Sequence, residues 1–327
     1  MKVCIYGAGA IGGLIGAHLA QAGEADVSAV ARGQTLAALR TQGWRVRREG
    51  VVRTAPARAV ADPAELGVQD VVVIAVKAPA LAEVAARLGP LVGPQTMVVP
   101  AMNGVPWWFG HGHAALGEAP LASVDPDGRI ARAIPLNHVV GCVVHIASAT
   151  PEPGLVEHTM GTRLILGEPG GGVSARVERL SALLTQAGLQ PEPCADVRRE
   201  IWYKLWGNLT MNPVAALTGA TSDRILDDED VRGFCSAIML EAAEIGARLG
   251  CAIDQAPEAR HAITRRLGGF KASMLQDVES GRAIELDSIV GVVQELGQRL
   301  GVPTPNVNAL LGLTRLMAQT RGLYPRA

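Results

Sequence analysis

Gly7-Ala-Gly9-Ala-Ile-Gly12 follows the short apolar run of residues 3–6 and leads into residues 14–22, which read as a helix. Strand, glycine turn and helix in that order leave the chain few options. The first glycine permits a tight turn, the second lets the backbone approach a bound group, and the third lets helix and strand pack closely. Free N–H groups and a partial positive charge at the helix start suit a pyrophosphate. The pattern predicts an α/β fold opened by a Rossmann-type dinucleotide-binding domain.

Residues 26–31 read as a second strand ending in Arg32. Folds of this kind that select NAD usually carry an acid at this strand end, bound to the ribose hydroxyls. Asp26 lies at the opposite end, and an arginine at the tip suits a 2′-phosphate. The reading is therefore NADP, with a solvated surface arginine as the alternative. The continuous apolar run 71–76 has the pattern of a central parallel strand and ends in Lys77. Residues 81–88 read as a short helix, and residues 96–101 as a strand ending in Met102-Asn103-Gly104. Lys77 and Asn103 are thus expected on the carboxyl edge that carries the glycine turn, where ligands of such sheets bind. Taken singly, each is as easily a solvated lysine or a turn asparagine.

Residues 105–138 look irregular, with Trp107-Trp108-Phe109 and a turn signal, Asp125-Pro-Asp-Gly128, between two extended pieces. So long a loop is expected to serve as a lid or partner surface, with its aromatics buried over the active site or against a second subunit. Strands are expected at 139–147 and 164–166, and Glu168-Pro-Gly-Gly-Gly172 is the linker candidate. Beyond it the periodicity is helical, over 174–187, 197–212, 230–249, 258–266, 273–280, 285–300 and 306–320. The expected organisation is an NADP-binding domain over 1–170 and an all-α substrate-binding and catalytic domain over 171–327, with the active site in the cleft between them.

Within the helical part, Lys204, Asn208 and Asn212 recur every fourth residue and share one polar stripe. Ile201, Leu205 and Leu209 make a neighbouring apolar stripe that can seat the helix on a core. Pro213 suggests that the helix stops there. A lysine beside two amides, flanked by Trp202 and Trp206, is either the wall of a pocket or a solvated stripe at the end of an amphipathic helix.

Composition removes several classes of function. At 327 residues, with 48% hydrophobic and 19% charged residues, the chain can build two cores. A net charge of −1 gives no reason to expect nucleic acid or an anionic membrane. Cys4, Cys142, Cys194, Cys235 and Cys251 are scattered without a CxxC pair, as in a reducing compartment, and argue against disulfides or a zinc cluster. His111-Gly-His113 lacks neighbouring ligands and reads as loop, so no metal is expected. Met1-Lys-Val-Cys-Ile-Tyr runs straight into the glycine turn without a signal-peptide pattern, and no apolar run nears the roughly 20 residues of a membrane span. The expected location is the cytoplasm.

The order and spacing of these pieces resemble the ketopantoate reductase family over the whole length. The resemblance rests on GAGAIG, Arg32, Lys77, Met-Asn-Gly at 102–104, the Lys204 helix, Ser273-Met-Leu-Gln-Asp277 and Glu285-Leu-Asp287. It implies that Gly7, Ala8, Gly9, Ala10, Ile11 and Gly12 hold the pyrophosphate of NADP and Arg32 its 2′-phosphate. Lys77, Asn103 and Ala147 would line the cofactor site, and Lys204 would be the catalytic lysine. Asn208, Asn212, Ser273 and Asn103 would touch the substrate. Glu285 would stand near both the nicotinamide and the substrate hydroxyl. The implied reaction is NADPH-dependent reduction of 2-dehydropantoate to pantoate, on the way to pantothenate and coenzyme A.

The residue types suit that chemistry. Hydride addition to a ketone leaves an alkoxide, which needs positive charge and a proton, and a lysine supplies both. Two features depart from the family pattern. Ser222 stands where a further asparagine often occurs, and the segment between Asn103 and His145 is long. The rival readings are a relative that reduces another 2-keto acid and a non-catalytic NADP-binding sensor. A homodimer is left open.

Overall fold

The computed structural model describes residues 1–325 and divides into two compact units. Met1–Met102 and Gly128–Glu200 form the first, while Asn103–Asp127 and the chain from Ile201 onward form the second. The first unit begins with β1 (Lys2–Tyr6), α1 (Ala10–Ala22), β2 (Asp26–Val30), α2 (Gly33–Gln42), β3 (Trp44–Arg48), β4 (Val51–Ala55) and β5 (Arg58–Val60). It continues with β6 (Val71–Ile74), α3 (Leu81–Ala86), β7 (Met97–Pro100), α4 (Arg129–Ala133), β8 (Gly141–Glu152) and β9 (Leu155–Gly167). It closes with α5 (Ala175–Gln186), β10 (Gln190–Pro193) and the start of α6 (Val197–Thr218).

One sheet is wholly parallel, in the order β5-β2-β1-β6-β7. All four residues of β6 are buried, as the unbroken apolar run requires of a strand covered on both faces. The expected Rossmann-type core is therefore present, with β1 and β6 in register from Val3–Val71 to Tyr6–Ile74.

The strands expected at 139–147 and 164–166 fall on β8 and β9, but the second sheet they belong to, β10-β9-β3-β4 with β8 antiparallel to β9, was not legible in the sequence. Helix α1 packs against strands of both sheets, which is why it is apolar nearly all round. Its glycines mark the close approaches. A Cβ on Gly12 would lie 2.1 Å from the Gly7 carbonyl oxygen and 2.9 Å from Ala75 Cβ. A Cβ on Gly13 would lie 2.7 Å from Val156 of β9, and one on Gly16 2.4 Å from the Trp44 ring of β3.

Several expected boundaries move. Glu168–Gly172 is a turn inside the first unit, where Gly172 N–H donates to the Ala195 carbonyl (2.8 Å). Helix α5 and strand β10, parallel to β9, follow it within that unit, so residues 171–200 pack with the sheets and not with the helices. Asp125-Pro-Asp-Gly128 does not join two extended pieces; Gly128, in the left-handed region, starts α4. Helix α6 runs through Pro213 to Thr218. The proline removes one backbone donor, but residues 209–216 are buried, and packing sustains the helix where local preference would end it.

The second unit carries α6 from Ile201, then α7 (Ser222–Asp227), α8 (Glu229–Arg248), α9 (Pro257–Arg266) and α10 (Ser273–Glu279). A π-helical turn (Asp287–Gly291) leads into α11 (Val292–Leu300), and α12 (Pro305–Thr320) follows. Trp107, Trp108 and Phe109 are buried within this unit, with the Phe109 ring stacked 5.9 Å from that of Trp202 on α6. Glu295 of α11 accepts the Ala122 and Ser123 N–H groups at 2.8 and 2.7 Å, so the loop is sewn to its own unit. No helix among the described residues is long and apolar enough to cross a membrane.

Candidate active site

In the first unit the glycine turn is shaped for a ligand. Gly7 has φ +96°, and a Cβ there would strike Val76 at 2.6 Å, so this position accepts only glycine. Gly9 is different: it is exposed, and a Cβ would meet no atom within 4 Å. Nothing in the protein requires a glycine there, whereas a group lying against the backbone would. Ala8 is buried, Ala10 and Ile11 are half-buried, and the first turn of α1 has no side-chain cap and no acid. These features fit the pyrophosphate of a dinucleotide. Ser148, at a bulge in β8 next to Ala147, donates to the Ala10 carbonyl (3.0 Å) and ties this strand to the start of α1. The sequence offered no sign of that bond.

Arg32 precedes α2 with its side chain 64% exposed, paired with Glu83 of α3 at 2.6 Å. The partner was missed because nothing local links two residues fifty positions apart. An exposed pair of this kind holds its members weakly, so Arg32 can exchange Glu83 for a stronger anion. Lys77 is half-buried three residues beyond β6, on the carboxyl edge as expected.

In the second unit the lysine stripe meets the loop that follows β7. Lys204 Nζ donates to Asn103 Oδ1 at 2.8 Å, and both side chains are half-buried. A half-buried, hydrogen-bonded lysine favours the pocket-wall reading of Lys204 over the solvated stripe. Asn103 is held in turn by the π-helical turn: Val105 N–H donates to the Ser288 carbonyl (2.8 Å). Gly104 has φ +83° and no room for a Cβ, which would lie 2.4 Å from that carbonyl oxygen. Glu285, 5% exposed, stands three residues before Ser288, whose hydroxyl donates to the Glu285 carbonyl (3.4 Å). Asn208 is half-buried, and Ser273 opens α10 half-buried. Asn212 sits deeper than a surface stripe would place it, at 4% exposure, with its amide nitrogen lacking a partner.

Ser222 is fully engaged elsewhere. Its hydroxyl donates to the Gly268 carbonyl (2.9 Å) and accepts from Phe270 N–H (3.1 Å), pinning the loop before Ser273. The chain end fixes the segment around Glu285 from two sides. Ile284 N–H donates to the Leu323 carbonyl (3.2 Å), and the Tyr324 hydroxyl donates to Asp287 Oδ1 (2.8 Å). Neither contact was legible in the sequence.

Burial raises the Asp287 carboxyl above its ordinary range, and the Tyr324 bond offsets part of that rise. An acid raised in the folded state favours folding below its ordinary pKa, and that contribution is lost as pH climbs through the raised value. Tyr324→Phe removes the offset. It is expected to cost about 1.5–3 kcal/mol at neutral pH and clearly less in acid, where Asp287 is protonated. Urea unfolding at the two pH values checks this, and equal losses would show that the Asp287 charge plays no part.

A parallel sheet with a dinucleotide-shaped glycine turn, together with a half-buried lysine–amide pair on a helical unit, defines a dinucleotide-dependent oxidoreductase. The family models described as "Ketopantoate reductase PanE/ApbA" and "Ketopantoate reductase PanE/ApbA C terminal" match residues 3–171 and 196–318. The chain belongs to the ketopantoate reductase family. It is 46% identical to the 2-dehydropantoate 2-reductase of Mesorhizobium japonicum, over 99% of this chain and 100% of that one. A solved structure from Ralstonia solanacearum MolK2, assigned as a ketopantoate reductase, is 57% identical with TM-score 0.94, covering 98% of this chain and 99% of that one. The 2-dehydropantoate 2-reductase of Methylococcus capsulatus superposes with TM-score 0.83 at 28% identity, covering 98% of each chain.

Proposed function

We propose that this protein reduces 2-dehydropantoate to pantoate with NADPH, in the cytoplasm, supplying pantothenate synthesis. The observation that carries the reading is the Lys204–Asn103 pair, an ammonium held by an amide oxygen on a unit built of helices. Residues 7–12 receive the pyrophosphate, Arg32 the 2′-phosphate, and Lys77, Asn103 and Ala147 line the cofactor site. When bound, the nicotinamide supplies the hydride. Lys204 gives its proton to the oxygen of the reduced carbonyl as negative charge develops there. Glu285 stands near the nicotinamide end and the substrate hydroxyl and stabilises the ammonium. Asn208, Asn212 and Ser273, with Asn103, orient the substrate.

One observation supports a second reading within the family, a different 2-keto acid. The Ser222 hydroxyl is consumed by the 268–270 loop, so the contact that an asparagine would make at this position is lost. Oxidation of NADPH followed against 2-dehydropantoate and a panel of 2-keto acids separates the two. A clear preference for another acid would overturn the first reading, and inactivity on all of them would overturn both.

The choice of NADP rests on Arg32 and has its own test. A charge-assisted phosphate contact contributes about 1.5–3 kcal/mol, so Arg32→Ala is expected to weaken NADPH by roughly 10- to 100-fold and leave NADH nearly unchanged. Titration of both cofactors against both proteins decides it. Equal or better wild-type efficiency with NADH would remove the NADP assignment.

A further inference from the structure

Arg260 of α9 lies against α6 in an unusual setting. A Cβ on Gly207 would fall 2.6 and 2.7 Å from two guanidinium nitrogens, so the side chain lies in a notch that only a glycine leaves open. The guanidinium carbon sits 5.1 Å from the centroid of the Tyr203 ring, and the Tyr203 hydroxyl is itself fixed by Gln255 (2.9 Å). Arg260 is half-buried, and its Nε is buried without a hydrogen-bond partner. Among the described residues no carboxylate pairs with it, although ion pairs engage many other arginines of the chain. Ring and notch hold the cation in place and supply no counter-charge.

A buried donor without an acceptor costs about 1–3 kcal/mol, and a planar fork of donors held in one orientation matches a carboxylate. Its place against α6 says which carboxylate. Gly207 is three residues from Lys204 and immediately precedes Asn208, so the notch is a neighbour of the lysine on the helix surface. A 2-keto acid carries its carboxylate on the carbon next to the keto group.

We infer that Arg260 is the principal anchor for the substrate carboxylate, binding it through two parallel N–H···O bonds, with Tyr203 and Gly207 as positioning residues. This rests on the 2-keto acid reading but not on which acid is used. Ser273 then supplies a second, neutral contact.

The test compares wild type, Arg260→Ala and Arg260→Lys on the preferred 2-keto acid and on its neutral methyl ester. Arg260→Ala is expected to raise KM for the acid by about 10- to 100-fold with a much smaller change in kcat. Arg260→Lys should fall between, since it keeps the charge and loses the fork. On the ester, which has no carboxylate, all three should share one KM, and a general packing defect would break that equality. An unchanged KM for the acid in Arg260→Ala would overturn the assignment and leave the reductase reading standing. Oxalate, a planar carboxylate probe, is titrated by calorimetry into the NADPH-loaded proteins, independently of turnover. Loss of oxalate binding in Arg260→Ala supports the anchor even if the wild type reduces none of the acids offered, and retained binding overturns it.

Discussion

Lys204→Ala is expected to lower kcat by roughly 10²–10⁴-fold, about 3–5 kcal/mol of barrier, while NADPH affinity stays near the wild-type value. The reason is a division of labour visible along the chain. The residues proposed for the pyrophosphate and the 2′-phosphate belong to the first unit, and Lys204 is fixed in the second by Asn103 at 2.8 Å. Lys204→Arg should recover little, because a guanidinium gives up its proton far less readily than an ammonium. Single-turnover hydride transfer beside a cofactor titration checks this. A wild-type transfer rate in Lys204→Ala would remove the lysine from the chemistry, and loss of both signals would indicate a folding defect.

Trp202→Ala is expected to destabilise the protein by about 3–5 kcal/mol. The ring is 1% exposed, its Nε1–H donates to the Ala242 carbonyl (3.2 Å), and Phe109 stacks on it. Gly246 belongs to the same contact, since a Cβ there would lie 2.3 Å from Trp202 Nε1. Truncation therefore empties a large volume, removes the hydrogen bond to the Ala242 carbonyl, and takes the Phe109 stacking partner from the loop that carries Asn103 at its start. Trp202→Phe fills most of that volume and should recover much of the stability. Chemical denaturation of both variants measures the losses, and a loss in Trp202→Ala below about 1 kcal/mol would mean that the loop is held chiefly by Glu295 and by Arg299, whose guanidinium donates to the Ala119 carbonyl (3.0 Å).

Those two residues show why sequence reading stopped where it did. The parallel sheet, the glycine turn and most of the helices were legible because each is written in local periodicity or a short motif. The polar stripe of Lys204 was legible for the same reason, but its partner Asn103 lies a hundred residues away, and no local pattern joins them. Glu295 holding the 122–123 backbone and Tyr324 holding Asp287 are invisible on the same ground. In the second sheet β8 and part of β9 were legible as strands, but β3 was missed although it alternates plainly, Trp44 and Val46 inward between arginines. Short strands of that kind declare themselves only when their partner is known, and for β3 one partner is β9, more than a hundred residues on. Pro213 misled for the opposite reason, since a strong local signal was overruled by burial.

The place of α1 between two sheets has a consequence for the order in which the protein is made. Its first face is covered as soon as β1, β2 and β6 have assembled, all within the first 74 residues. Part of its other face waits for β9, because Gly13 packs on Val156. A nascent chain of 140 residues thus already holds the complete glycine turn, and Trp44 of β3 already covers Gly16, yet the helix around Gly13 still lacks its β9 neighbour. Burial of that side closes a loop of more than a hundred residues, a contact that forms late and slowly compared with the local ones. The helix that presents the turn is therefore fully packed only once β9 has emerged, well after the motif itself.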